Sequence, residues 1–190
     1  MARQIGLKDI HIALLTKDDS TGVTYETPAK LERSISAKIS PKTASDKLYS
    51  DDSVEEVINS FDSIDVEIEL NQLSIESRAK LQGAKVVKGA LLETKDDIAP
   101  TLALGFKSKK SNGKYRYVWL YKGSFDLVAD EYNTEEDKVK SQTAKLKGTF
   151  YSREKDGAYR LIADEDSTGV DTTMLSSWFT TVQEQPTVTP

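Results

Sequence analysis

Side chains able to move protons or hold ions are thinly spread along this sequence. There is one histidine, His11, and no cysteine. A thiolate nucleophile, a thiolate zinc site, a disulfide framework and a multi-histidine metal centre are therefore excluded, and little remains for a histidine-based triad. His11 could act as a general base, but it stands inside an alternating apolar run with no sequence partner. The simpler reading is a strand histidine that points outward or is hydrogen-bonded. Carboxylates come next, in four clusters: Asp51/Asp52, Asp96/Asp97, Glu135/Glu136/Asp137 and Asp164/Glu165/Asp166. Glycosidic hydrolysis needs two carboxyl groups facing each other across an aromatic cleft. These clusters fall in predicted loops, where solvated turn residues suffice. Asp164-x-Asp166-x-Thr168-Gly169 copies the first half of a calcium loop, but its twelfth position is Leu175, where a bidentate glutamate is required.

The basic run Lys107, Lys109, Lys110, Lys114 and Arg116 lies beside Tyr115, Tyr117 and Trp119. Cations interleaved with aromatics can bind single-stranded nucleic acid. Here alternation puts the aromatics on one face and Arg116 on the other, which fits a solvated hairpin tip whose rings face a core or a neighbouring subunit. No Walker A loop, Gly-x-Ser-x-Gly elbow or dinucleotide fingerprint is present. No catalytic, cofactor-binding or metal-ligating residue is assigned, and the chain is read as not an enzyme.

The elements that would carry these side chains are mostly strands. Apolar residues fall on alternate positions in Ala29, Leu31, Ile35, Ala37 and Ile39, with Arg33 the exception. Ile64, Val66, Ile68 and Leu70 alternate with Asp65, Glu67 and Glu69, the period of a half-buried strand. Leu102, Leu104 and Phe106 alternate, Ser111-Asn112-Gly113 turns the chain, and Tyr115, Tyr117, Trp119 and Tyr121 alternate back. Asn-Gly between such runs is a strong hairpin signal. A turn at Asp156-Gly157 is expected to join strands 149–153 and 158–163. Weaker strands are predicted at 5–15, 86–93, 125–129 and 139–147. Ser74 caps a predicted helix running to Gln82, with Gly83 as its left-handed exit. Asp171 caps a second, with Met174, Leu175, Trp178, Phe179 and Val182 at helical spacing. Segments 40–60 and 133–138 lack a clean period, and 40–60 is read as a long loop. Asp-Ser-Thr-Gly-Val occurs at 19–23 and 166–170 and is read as reused turn chemistry.

Composition bounds the rest. The 190 residues carry 37% hydrophobic and 30% charged side chains and a net charge of -5, which argues against a general phosphate-binding surface. No signal-peptide pattern or membrane-spanning run is read, so the chain is expected to be soluble and made without export. The apolar share is low for a compact domain, which points to long polar loops or to surfaces buried only between copies.

Several stretches resemble the major tail proteins, or tail tube proteins, of long, non-contractile-tailed bacteriophages of Gram-positive bacteria. They are Ala99-Pro100-Thr101-Leu102-Ala103-Leu104-Gly105-Phe106 and Asn112-Gly113-Lys114-Tyr115-Arg116-Tyr117-Val118-Trp119-Leu120-Tyr121-Lys122-Gly123. The likeness continues through Gln142-Thr143, Lys147-Gly148-Thr149-Phe150-Tyr151, Asp156-Gly157, Leu48-Tyr49-Ser50-Asp51-Asp52 and Trp178-Phe179. It implies a mainly β fold: two packed β-sheets, sandwich- or barrel-like, with one flanking short helix, a C-terminal helix and long loops and arms. A single domain 1–190 is expected, with a core at 5–182, the loop 40–60 and a C-terminal arm 183–190.

The resemblance also implies a structural virion protein of the phage tail, synthesised and assembled in the host cytoplasm. Its partners would be its own copies, in hexameric rings stacked into a tube, together with tape measure and tail terminator or distal tail proteins. Genome DNA would pass through the lumen without specific binding; no membrane partner and no cofactor is expected. Open sheet edges are aggregation hazards in a monomer, whereas a closed ring pairs them. The loop 40–60 becomes a candidate stacking element, and the arms before Ile5 and after Val182 candidate clasps. If Asp65, Glu67 and Glu69 line the lumen, they would repel DNA phosphates at short range, screened beyond ~10 Å at 0.1 M salt. The alternative reading is that they meet solvent or a neighbour's lysines. Two other readings stand beside this one: a β-sandwich recognition module, carbohydrate-binding or adhesin-like, with Tyr115, Tyr117, Trp119 and Tyr121 as its platform, and a small hydrolase using loop carboxylates.

Overall fold

Alternating apolar residues build this molecule almost entirely from strands. A computed structural model describes residues 2–50, 53–130 and 143–185, with side chains outside 46–58. Asp51/Asp52, Glu135/Glu136/Asp137, segment 133–138, Gln142 and residues 186–190 therefore lie outside the described residues, as do the side chains of Glu55 and Glu56. In chain order the elements are β1 (Gln4–Asp19), β2 (Gly22–Tyr25), β3 (Ala29–Lys30), β4 (Ser34–Ser50), β5 (Ser53–Leu70), α1 (Ile75–Gln82), β6 (Lys85–Val87) and β7 (Ala90–Leu92). They continue with β8 (Leu102–Lys110), β9 (Tyr115–Phe125), β10 (Ala144–Tyr151), β11 (Arg160–Asp164) and α2 (Thr172–Ser176).

One antiparallel sheet runs β2-β1-β8-β9-β10-β5-β4, with β3 added on β1 and β11 on β9; β6 and β7 form a separate ribbon. The two expected layers are halves of this one sheet, which folds over at β9. Residues Arg116–Leu120 of β9 pair with β11, and Lys122–Phe125 pair with β10. Two glycines make the corner possible. A Cβ on Gly123 would meet the Phe150 ring at 2.4 Å, and one on Gly148 would meet the Ser124 carbonyl oxygen at 2.5 Å. The rings of Phe125 and Phe150 fill that space edge to face, 5.8 Å apart.

Between the halves lies the main core. Ile10, Ile12, Leu102, Leu104, Phe106, Val118 and Leu120 from one layer meet Ile64, Val66, Ile68, Leu70, Leu146 and Phe150 from the other. A second cluster covers the opposite face of β1, β8 and β9: Ala13, Ala103, Trp119, Tyr121 and Ala163 pack under Leu175 and Trp178. Strand β8 is thus covered on both faces, which is why Leu102 to Phe106 are buried without interruption.

Both helices start at their predicted caps, but α2 stops at Ser176, so Trp178, Phe179 and Val182 lie in the turns beyond it. The Ser74 side chain accepts from the Ser77 amide and Gly83 exits at φ 72°; the Asp171 side chain accepts from the Thr173 amide. Five expectations about strands and loops need correction. Segment 40–60 is not a loop: it is the two arms of a hairpin, paired from Ser34↔Leu70 out to Ser50↔Ser53. Register shifts after Lys42 and Leu48 break the alternation, and β4 is an edge strand, which tolerates Pro41. Run 29–39 is two strands, because the chain leaves the edge of β1 and crosses to β5 between Leu31 and Arg33. Segment 86–93 turns back on itself as β6 and β7, and 126–129 is not strand. The Asp156-Gly157 turn forms, but its arms do not pair; β10 and β11 lie end to end along β9.

Candidate assembly surfaces

Most of the described residues singled out for chemistry are engaged within the chain. The His11 ring lies 4.2 Å from Phe179 in a parallel stack, and its Nδ1 is 2.9 Å from the Asp9 carbonyl oxygen. Burial holds its pKa below the ordinary value, and the neighbouring Lys30 and Lys107 act in the same direction. Asp9 sits in a bulge of β1 at a left-handed φ of 54°. Its carboxylate takes Lys107 at 2.8 Å and also Lys30, which together hold its pKa down to about 2.

The acidic cluster and the basic hairpin tip neutralise each other. Arg116 makes two bonds of 2.6 Å to Asp164, and Lys110 reaches Asp164 at 2.9 Å as well as Asp166. Lys114 pairs with Glu165 at 2.9 Å, and the Asn112 amide donates to Asp166 at 2.8 Å. Arg116, with Lys110, holds Asp164 at about 2. The oxygens of the calcium-like Asp164-x-Asp166 stretch are thus taken by the protein's own cations, and the lysine run is not a bare phosphate site. Asp97 accepts from the Thr94 amide and hydroxyl at 2.8 and 2.9 Å, so it is a turn residue, while Asp96 is exposed. The two Asp-Ser-Thr-Gly-Val copies do not share a turn: Asp19 caps Thr21 and Gly22, whereas Asp166 points to Lys110 and Asn112.

Tyr115, Tyr117, Trp119 and Tyr121 share one face as expected. The C-terminal segment covers it: the Trp119 indole donates to the Trp178 carbonyl at 3.0 Å, and the Tyr121 hydroxyl donates to that of Gln183 at 2.9 Å. The ring face is therefore closed to a sugar. Sequence reasoning missed Arg153, which is fully buried. Its guanidinium lies 4.1 Å from the Tyr121 ring and bonds Asp156 at 2.7 and 2.6 Å. Asp18 also went unnoticed; it accepts from Lys122 at 2.6 Å and from the Glu154 and Lys155 amides. The only sequence signal for the first was an arginine three positions before the Asp156-Gly157 turn.

Among the described residues, three surfaces stand open to a partner. The outer face of β4, β5 and β10 is bare and charged. Asp65, Glu67 and Glu69 point outward, but Lys38 stands opposite Glu67 on one side and Lys147 on the other, and Lys145 opposite Glu69. Lys42 pairs with Asp65 at 2.7 Å. Four lysines meet three carboxylates, so the face is balanced rather than acidic. The second surface is the outer part of the β4–β5 hairpin: β10 accompanies β5 only from Ile64 to Leu70, and among the described residues no third strand flanks the pairs beyond Lys42. Phe61 pins its base by stacking on Tyr159 at 3.9 Å. The third is the β6–β7 ribbon beside α1, where Arg78 bonds Glu93 at 2.8 Å and Asp130 at 2.6 Å.

No helix among the described residues is long and apolar enough to cross a membrane. Residues 5–187 match the family described as phage tail tube protein. No curated protein matches the chain.

Proposed function

Because the chain belongs to the phage tail tube protein family, we propose that its copies close into hexameric rings whose stacking forms the conduit for genome DNA ejection. Family membership carries the coarser part: a structural virion role and assembly with its own copies into a tube. The observation that best supports rings and stacks is the open edge structure. Among the described residues, strands β4 and β11 each have one hydrogen-bonded neighbour along their length, and the outer hairpin has none beyond its own two arms. Unpaired edges on a soluble subunit invite strand addition by another copy, and head-to-tail contacts of this kind give rings and open stacks. Tape measure and terminator proteins would meet the tube at its interior and end, and assembly would take place in the host cytoplasm. The recognition-module reading loses its platform, since the aromatic face is covered.

Negative-stain microscopy of the purified, concentrated protein tests this directly. Tubes of uniform width with six-fold averaged cross-sections are expected. A protein that stays monomeric at high concentration would overturn the proposal.

A further inference from the structure

Beside the three open surfaces, the end of the folded sheet holds a recess of about 420 Å³, between β4 and the layer of β1, β8, β9 and β11. Its apolar lining is Leu7, Ala37, Ile39, Phe106, Val118 and Ile162. Leu161 and Ala163 turn to the roofed cluster, so strand alternation turns Arg160 and Ile162 into the recess, where Ile162 stays 43% exposed. Apolar lining left to water forfeits the gain of its burial, and apolar patches rimmed by polar groups mark interaction sites. The rim here is basic. With the adjoining recess that shares Gln4 and Arg116, the cations Arg3, Lys110, Arg116 and Arg160 stand against two carboxylates, Asp164 and Asp166. Lys110 and Arg116 already occupy both, which leaves Arg3 and Arg160 over.

The opposite character is found past the far end of β9. Leu127 lies two residues after Phe125 and is 82% exposed. The segment that carries it is pinned on both sides. The Asp126 amide donates to the Lys147 carbonyl at 2.8 Å and Val128 is buried. Arg78 donates to the Val128 carbonyl at 3.4 Å and to Asp130 at 2.6 Å. The backbone under Leu127 is thus fixed while its side chain finds no core, and a group held out in this way loses little freedom on binding. Arg78 gathers Glu93 and Asp130 there, and with Asp126 they make three carboxylates against one cation. An apolar side chain on an acidic mount therefore matches an apolar recess with a basic rim.

We infer that Leu127, held out on the pinned segment 126–130, seats in this recess of a second copy against Ile162, with Asp126 meeting Arg160 at the rim. This rests on the tube reading and adds which two surfaces meet. The two lie at opposite ends of β9, Arg116 and Val118 near its start and Leu127 just past its end. Donor and acceptor are thus different patches of one chain, so the contact is head-to-tail and each copy offers its free patch to the next.

Two measurements test it, both on the full chain. Asp126→Lys and Arg160→Glu should each raise the concentration needed for tube formation by about tenfold, and the two together should restore most of it, since the swapped charges face each other again. Unchanged circular dichroism of each variant shows that folding is intact. The native chain has no cysteine, so Leu127→Cys with Ile162→Cys gives an independent readout. Oxidation of assembled material should link copies into ladders on a denaturing gel, with little linkage in dilute protein. Tubes of this variant that yield no ladder, single charge reversals without effect on assembly, or a double reversal no better than either one would overturn the docking pair and leave the tube reading standing. So would a Leu127→Ser variant that melts well below the native chain in dilute solution, because Leu127 would then be seated in its own fold. A native chain that never assembles would overturn both.

Discussion

At the scale of single residues, the charges serve the fold rather than a reaction. Asp9 and Asp164 are both drawn from an ordinary carboxylate value of 3.8 to about 2 by lysine and arginine partners. A depressed folded-state pKa contributes stability that is present above the unfolded value and is lost as pH falls through the folded one. The window is therefore pH 3.8 down to about 2. Both carboxylates keep some solvent exposure, so after screening each contributes about 1 kcal/mol. Asp164→Asn should lower the melting temperature at about pH 6 by roughly 2–4 °C, and the gap should close as pH falls below 3. A gap that persists at pH 2 would show that the contribution is packing and not charge. Part of this was readable in the sequence and part was not. The acidic cluster and the lysine run were both visible, but nothing in their spacing showed that Asp164 lies in register with Arg116. That pairing is set by β11 lying along β9, a contact between residues 48 positions apart. Arg153 was hidden for a similar reason: its stacking partner Tyr121 comes from another strand.

At the scale of elements, legibility follows locality. Signals that act within a few residues survived into the structure: the Ser74 cap, the Gly83 exit, the Asp171 cap and the Ser111-Asn112-Gly113 turn between β8 and β9. Signals that need a partner strand did not. Asp156-Gly157 reads as a hairpin, yet the flanking strands each pair with β9. The long hairpin escaped notice because its bulges interrupt the period. The same physics yields an expectation for its dynamics. Ladder bonds from Thr43↔Phe61 outward rest on two strands alone, so they should open easily until a second copy packs on them. Hydrogen exchange should be fast across 43–61 in free protomers and slow in tubes, while 64–70, held by β10 and β4 together, stays protected in both. Equal protection of 43–61 in the two states would mean that the hairpin is self-sufficient.

At the scale of the whole molecule, the two outer faces of the folded sheet differ in kind, and that difference bears on which one DNA would pass. The outer face of β1, β8 and β9 is roofed by α2 and the segment through Gln183. The outer face of β4, β5 and β10 carries no such cover among the described residues and presents Lys38, Glu67 and Lys147 in one row, with Glu69 beside Lys145 and Asp65 paired to Lys42. A bare, polar sheet face suits a wall that must stay wet, so if copies close into a ring this is the face expected to line it. Register changes the expected physics of that wall. With lysines beside each carboxylate, a ring of copies would neither repel a duplex strongly nor hold it, because alternating charges cancel within a Debye length of about 8 Å at physiological salt. Glu67→Gln with Glu69→Gln would remove two of the three carboxylates and leave the lysines uncompensated. Because glutamine keeps the shape and strand pairing, tubes should still form, whereas DNA ejection from phage carrying this variant should slow, and slow more at low ionic strength as phosphates bind the exposed lysines. Ejection kinetics that match the native phage at every salt concentration would remove this face from the lumen and place it between subunits instead.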